Sequence, residues 1–428
     1  MIINKIFFII LLIKLILSED TDDSFLLKVY GDSYVLNYYY ITLYLGEQKS
    51  PQQYILDTGS ETTTSTCDKC TSCGQHKNKP YNITNEKNII KCNNSSNCLF
   101  LPNSVCINKQ CCFLNSYQEE SLIFGFYNFQ KVYFEKINKF GNITLESYII
   151  PMGCTTKETG NFIKEQDADG IMGLNNNENS FISLLYKNKI ISKNLFSLCF
   201  SNYGGYFSIG GINRTFHKSK INYIPLTKIE RQVINESYLI ELTQIKIGKK
   251  KIFKKNEHYK AFIDSGKTLS YFPEEIYNLM VEAFKSVCDK KNEKCGRFEN
   301  ITDLGYCGIY DSFEEKEKII NNYWPDMTYY FGDKKYNLSP NDYYFYYFNP
   351  DSGLNLACLG IDIEQTDIIT LGTTFMHGHD IIFDKEKQRI GFALADCNIN
   401  IKGLKEENGN IENNDNIEKK KYDKSEDL

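Results

Sequence analysis

Two short stretches echo each other across roughly half of the chain: Tyr54-Ile55-Leu56-Asp57-Thr58-Gly59-Ser60 and Ala261-Phe262-Ile263-Asp264-Ser265-Gly266-Lys267-Thr268. Each is an apolar run ending in Asp-Thr-Gly or Asp-Ser-Gly, a pattern that sets a carboxylate at the end of a β-strand. A further matched pair follows: Asp169-Gly170-Ile171-Met172-Gly173-Leu174 and Ile368-Ile369-Thr370-Leu371-Gly372-Thr373. An apolar pair crossing behind an Asp-bearing loop would buttress it and fix the carboxylate. One such motif alone reads best as a strand-ending turn. Two, one in each half and each with its downstream Gly, predict two similar β-rich lobes that bring one aspartate each to the cleft between them. Carboxylates held face to face cannot both ionise easily, so one keeps a proton while the other stays charged. Identical residues then supply an acid and a base, enough to activate a water.

The intervening sequence agrees with a mainly β chain. Strands are expected at Tyr38 to Leu45, Gln53 to Leu56, Tyr206 to Gly210, Leu239 to Ile247 and Asp380 to Phe383, separated by Gly, Asn and Asp turns. Helices are few: Ser180 to Lys187, Glu274 to Cys288 and Phe313 to Asn321. The second opens on Pro273-Glu274-Glu275, with acids in its first turn. The expected division is a signal peptide at residues 1–18, a first lobe at 25–194, a second lobe at 195–398 and a disordered, charged tail at 399–428. Apart from the signal segment no run is apolar for long enough to span a bilayer. A net charge of −5 without a basic stripe argues against nucleic acid as a partner. A monomer acting on polypeptides is expected.

The chain has 15 cysteines, which fits a secretory protein with a disulfide framework. Eight fall within 67–112: Cys67, Cys70, Cys73, Cys92, Cys98, Cys106, Cys111 and Cys112. Sequons at Asn82, Asn94, Asn142, Asn213, Asn235, Asn300 and Asn337 are compatible with the same route. The ending Ser425-Glu426-Asp427-Leu428 is similar to a KDEL-type retrieval signal, so the endoplasmic reticulum lumen is the expected compartment, with secretion or a vacuole as the alternatives. The stretch from Glu19 to about Ser24 is too short for a usual inhibitory pro-segment.

These motifs resemble the pepsin-like aspartic peptidases over about residues 27 to 398. Ser116-Tyr117-Gln118-Glu119-Glu120-Ser121, with Gly125 downstream, is similar to that family's flap hairpin. Leu195 to Phe200 resembles the strand entering the second lobe, and Ile381 to Asp384 with Arg389 to Ala393 resemble its closing strands. The insert Cys67-x2-Cys70-x2-Cys73-Gly74-x-His76, with Pro80-Tyr81-Asn82, is similar to that of the cysteine-rich, nepenthesin-like and plasmepsin V-like group. That group also shares the sense of Gly125-Phe126-Tyr127 and Pro273-Glu274-x-x-Tyr277-Asn278.

The resemblance implies a bilobal pepsin-like fold and an aspartic endopeptidase without cofactor. Asp57 and Asp264 would activate the attacking water. Thr58 and Ser265 would cross-bond the two loops, Gly59 and Gly266 would let the backbone turn beneath the carboxylates, and Ser60 would bond Asp57. Tyr117 and Ser121 would belong to the flap that closes over substrate. Apart from the resemblance, Cys199 with Cys397 and Cys307 with Cys358 are candidate second-lobe pairs. Cys154 joins the insert cysteines as a pairing candidate, and Cys112 is the thiol left over.

Several residues depart from the pattern. Lys267 stands where the family usually has Ser or Thr bonding the second aspartate. Either its charge lowers the pKa of Asp264, or it extends into solvent and a water replaces the hydroxyl. Gln118 and Glu120 replace small flap residues. Asn78 and Leu122 stand where plasmepsin V-like enzymes carry groups for a substrate arginine. Cys67, Cys70, Cys73 and His76 have the spacing of a zinc set, but an oxidising compartment favours pairing, so no metal is expected. His377-Gly378-His379 reads as a two-residue hairpin turn rather than a ligand pair. The reading from another class is a pepsin-fold binding or inhibitor-like protein without useful catalysis.

Overall fold

The computed structural model describes residues 24–398, except 34–35, 118–119, 138–142, 165, 229–236, 289–294, 296, 303 and 350–351. The expected signal peptide, the charged tail, Gln118 and the sequons at Asn142 and Asn235 lie outside the described residues.

Among the described residues the chain is built on one mixed sheet of 14 strands and three smaller sheets. The large sheet starts from Ser50–Asp57 and its antiparallel neighbour Tyr38–Leu45. Tyr38–Leu45 alternates strictly, with Tyr39, Ile41, Leu43 and Leu45 inward, as aromatic and branched residues at period two require. Ser50–Asp57 instead becomes buried on both faces toward its end, because Gly170–Gly173 runs parallel beside it and pairs Gly173 with Asp57. The long hairpin Leu122–Ile137 with Ile143–Glu158 follows, and Gln110–Ser116 and Ser104–Ile107 extend the sheet to its far edge.

The opposite end of this sheet is shared by the two halves. Phe25–Asp32 pairs with Tyr38–Leu45 on one side and with Tyr203–Ile209 on the other. Leu195–Ser201, His379–Asp384, Arg389–Leu394 and Asn222–Pro225 complete it. Strands from the start, middle and end of the chain therefore form one hydrogen-bonded base.

The second half adds its own sheets. Tyr259–Ile263 runs parallel to Ile369–Leu371, pairing Ile263 with Leu371, and Leu239–Leu242, Ser270–Pro273 and Ile361–Glu364 join them. The run expected as one strand from Leu239 to Ile247 is broken at Thr243, whose N–H and hydroxyl both donate to the Tyr330 carbonyl. Its second part, Gln244–Ile247, pairs with Met327–Phe331 in a separate sheet.

Helices form at Phe181–Lys187, Glu274–Val287 and Phe313–Tyr323. The second buries Ile276, Tyr277, Met280, Val281 and Phe284, one stripe at helical spacing, behind acids at its positive end. Ser312 caps the third by accepting from the Glu315 N–H.

Seven disulfides join described residues: Cys67–Cys154, Cys70–Cys73, Cys92–Cys106, Cys98–Cys111, Cys199–Cys397, Cys288–Cys295 and Cys307–Cys358. Cys112 is the buried free thiol. The Cys288–Cys295 link, which spans the end of the long helix, was not anticipated. Among the described residues no helix is long and apolar enough to cross a membrane.

Candidate active site

Each aspartate emerges at the end of a strand that is backed by a parallel neighbour. Leu174 N–H donates to the Asp57 carbonyl at 2.8 Å, and Asp264 N–H donates to the Leu371 carbonyl at 2.9 Å. The backing glycines are held in the same manner. Gly173 N–H donates to Thr63 Oγ1 and Gly372 N–H to Ser270 Oγ, both at 3.1 Å. Thr63 and Ser270 each lie six residues after their aspartate, and sequence reading missed them. The signal was available as a hydroxyl at a common offset within the repeat.

The two loops are then stitched together. Thr58 N–H donates to Ser265 Oγ at 3.0 Å, and Ser265 N–H donates to Thr58 Oγ1 at 2.9 Å. Each hydroxyl donates in turn to a carbonyl of the opposite strand: Thr58 to Ile263 at 2.9 Å, Ser265 to Leu56 at 2.7 Å. Both residues are buried, so these four bonds have no water to compete with them.

Gly59 and Gly266 let the loops close on each other. A Cβ on Gly59 would fall 2.8 Å from both Asp264 carboxylate oxygens, and one on Gly266 would fall 2.6 Å from Asp57 Oδ1. Their N–H groups donate to the aspartate of the same loop, at 2.8 Å for Asp57 and 3.0 Å for Asp264. The carboxyls lie within hydrogen-bonding reach of each other and are each only 8% exposed.

Burial raises both carboxyls above their ordinary range. Asp57 is drawn back toward ionisation by hydrogen bonds from the Ser60 hydroxyl and the Gly59 N–H. Asp264 is pushed up to about 8, first by burial and then by the charge of Asp57. Of the two sequence readings of Lys267, its charge does pull Asp264 downward, but more weakly than burial and Asp57 push it up. The half-buried side chain does not run free into solvent: its ammonium sits 5.3 Å from the centre of the Tyr271 ring. Asp57 draws hydrogen bonds that favour its anion and Asp264 is held as the acid, so the pair is arranged to share one proton, as an acid–base dyad requires.

Tyr117 lies at the tip of the hairpin formed by Gln110–Ser116 and the strand from Leu122, with its ring edge-on to Phe162 at 5.0 Å. The tip closes through Tyr117 N–H to the Ser121 carbonyl at 3.0 Å and Glu120 N–H to the Tyr117 carbonyl at 3.1 Å. Ser121 does not present itself to a substrate. It is fully buried, and its hydroxyl accepts from Asn161 N–H at 2.9 Å, because the short helix Asn161–Lys164 packs beneath the tip.

The insert is held by disulfides and by polar contacts to the first lobe. The cysteines of the zinc-like spacing are consumed in Cys67–Cys154 and Cys70–Cys73, and His76 contacts Glu158 at 2.9 Å and the Gln166 carbonyl at 3.1 Å. Asn78 is turned onto Asp169, which accepts from its N–H and from its side-chain amide at 2.7 Å each, tying the insert to the strand behind Asp57. His377-Gly378-His379 is not a hairpin turn. His377 ends the helix Thr373–Met376 and His379 begins the strand His379–Asp384, whose turn to Arg389–Leu394 comes later. His377 Nε2 lies 2.8 Å from the Tyr39 hydroxyl, across the shared base.

The profile of the family described as "Eukaryotic aspartyl protease" matches residues 38–395. Plasmepsin V of Plasmodium falciparum is 26% identical over 89% of this chain and 75% of its own length. Aspartic protease 5 of Toxoplasma gondii is 22% identical over 86% of this chain but 37% of its own. Aspartic proteinase 36 of Arabidopsis thaliana is 24% identical over 87% of this chain and 77% of its own. A match across most of the length, on a mainly β fold that sets two Asp-Thr/Ser-Gly loops face to face, makes this chain a member of the eukaryotic aspartyl protease family.

Proposed function

We propose that the protein is an active aspartic endopeptidase that hydrolyses peptide bonds of secretory-pathway proteins with Asp57 and Asp264. The observation that carries this reading is the pairing of two buried carboxyls on cross-bonded loops, with unequal affinity for one proton. Asp57, stabilised as the anion by Ser60 and Gly59, takes a proton from the attacking water. Asp264, protonated at working pH, donates a hydrogen bond to the scissile carbonyl and then its proton to the collapsing intermediate. Tyr117 at the hairpin tip covers the substrate and excludes bulk water.

The disulfides of the insert and second lobe favour an oxidising compartment. Exposed sequons at Asn82, Asn94, Asn300 and Asn337 agree with passage through the secretory pathway. Lys267 in place of a hydroxyl is the observation that favours a non-catalytic pepsin-fold protein. Peptide digestion between about pH 4 and pH 7, with Asp57→Ala protein and pepstatin as controls, decides between them. Cleavage lost in both controls is expected; cleavage equal in Asp57→Ala protein defeats the enzymatic reading.

A further inference from the structure

Lys267 differs in chemistry from Ser60, its counterpart in the other active loop. The Gly N–H bonds, the cross-bonded hydroxyls and the hydroxyls behind the backing glycines all match pair by pair. Ser60 donates to Asp57, whereas among the described residues no side-chain hydroxyl donates to Asp264, because Lys267 occupies the equivalent place. Its backbone is fixed, with the carbonyl accepting from Thr373 N–H at 2.8 Å and the N–H donating to the Asp264 carbonyl at 3.3 Å.

The half-buried side chain holds its ammonium against Tyr271, yet among the described residues no carboxylate forms an ion pair with it. Asp362 and Glu364 lie on the strand beside Tyr271 and influence the Tyr271 hydroxyl, but neither pairs with the lysine. A half-buried cation loses hydration, and cation–π contact with one face of a ring leaves N–H donors unused. It follows the exposed Gly266, and its charge is felt by Asp264, so it stands close to the reacting carboxyls. A carboxylate brought by the substrate would supply the missing partner.

We infer that Lys267 is a specificity-determining residue that selects peptides carrying an Asp or Glu side chain close to the scissile bond. The inference rests on the peptidase reading and deepens it. Without Lys267, an acidic substrate residue would meet only the charge shared by the dyad and the neighbouring Asp362 and Glu364. With it, the substrate carboxylate gains a charge-assisted hydrogen bond in a partly desolvated site.

The test digests a peptide mixture of defined composition with the full chain and reads cleavage sites by mass spectrometry. Paired substrates differing only in Glu against Gln at the enriched position then give kcat/KM. Wild-type protein should favour Glu by about fivefold to tenfold, the range of a partly exposed charged hydrogen bond. Lys267→Arg should keep the preference, and Lys267→Thr and Lys267→Met should lose it. The ratio, unlike the absolute rate, does not move when a substitution merely loosens the loop. Absence of acidic enrichment, or enrichment unchanged in Lys267→Thr, overturns the inference while leaving the peptidase reading intact. Should no peptide be cleaved, that reading fails separately, and binding of statine-containing peptides with Glu or Gln at each flanking position decides the inference. Equal affinities for both members of every pair overturn it; tighter binding of a Glu member, lost in Lys267→Thr, supports it.

Discussion

The loop that carries Asp57 and the loop that carries Asp264 are built on one plan until the third residue after the aspartate. Before that point they share a parallel backing strand, a turning glycine and a hydroxyl that crosses to the other loop. After it, Ser60 gives its loop a neutral donor and Lys267 gives the other a charge lodged on an aromatic ring. The lesson is a division of labour. Geometry is secured by the shared parts, so the third position could differ, one loop holding a hydroxyl and the other a cation, without disturbing it.

The largest break in the comparison is removal of an aspartate. Asp264→Asn should lower kcat/KM by about 10³-fold or more, since an amide cannot pass on a proton. Its effect on stability should run the other way. A carboxyl raised from 3.8 to about 8 favours the folded state below its unfolded pKa and loses that contribution as pH rises to about 8. The Asn variant should therefore melt a few degrees higher than wild type at pH 8 and show no such gain near pH 4, as read by thermal melts at both values. Equal melting differences at the two pH values would show that the carboxyl is not held protonated.

The cross-bonds come next, and here the two loops should behave alike. Thr58→Val and Ser265→Ala each remove a hydroxyl that both accepts an N–H and donates to a carbonyl. Each should cost about 2–3 kcal/mol in denaturant titrations, because the buried groups left behind find no water. Combined, they should cost less than the sum, since each hydroxyl bonds the backbone of the other residue's loop in one reciprocal network. Full additivity would mean that the loops are not coupled.

The smallest effects separate the two loops. Ser60→Ala removes a donor to ionised Asp57, so its pKa rises and the acid limb of the kcat/KM profile should move upward by about one pH unit or less. Lys267→Met removes a cation near Asp264, so that pKa also rises, but this carboxyl acts protonated and the basic limb should move upward instead. If both variants shift the same limb, the assignment of base to Asp57 and acid to Asp264 is wrong.

What was legible in the sequence was whatever repeats. Asp57, Asp264 and the buttress glycines could be found because one plan occurs twice at matching offsets. Ser121 was misread because a flap motif gives the order of residues along the hairpin but not which of them the underlying helix Asn161–Lys164 will bury. His377-Gly378-His379 was misread because a glycine with φ +68 links a helix to a strand as readily as it turns a hairpin. Cys288–Cys295 escaped because it closes a short local loop beyond the long helix and has no counterpart in the first half. Lys385 escaped for the opposite reason. A lysine in a turn reads as solvated, yet it is buried and donates to the carbonyls of Asn175 and Asn177 just after Gly173.

The base sheet has a consequence for biosynthesis. Phe25–Asp32 leaves the ribosome early, its neighbour Tyr203–Ile209 midway, and His379–Asp384 and Arg389–Leu394 near the end. The first lobe can gather its own hairpins during translation, but the sheet that holds the halves together waits for the last strands. Pairings so distant along the chain are slow to form and leave an unfinished edge exposed meanwhile. A nascent chain of this design carries that open edge until those strands emerge, and one truncated before residue 379 would lack the strands that close its base.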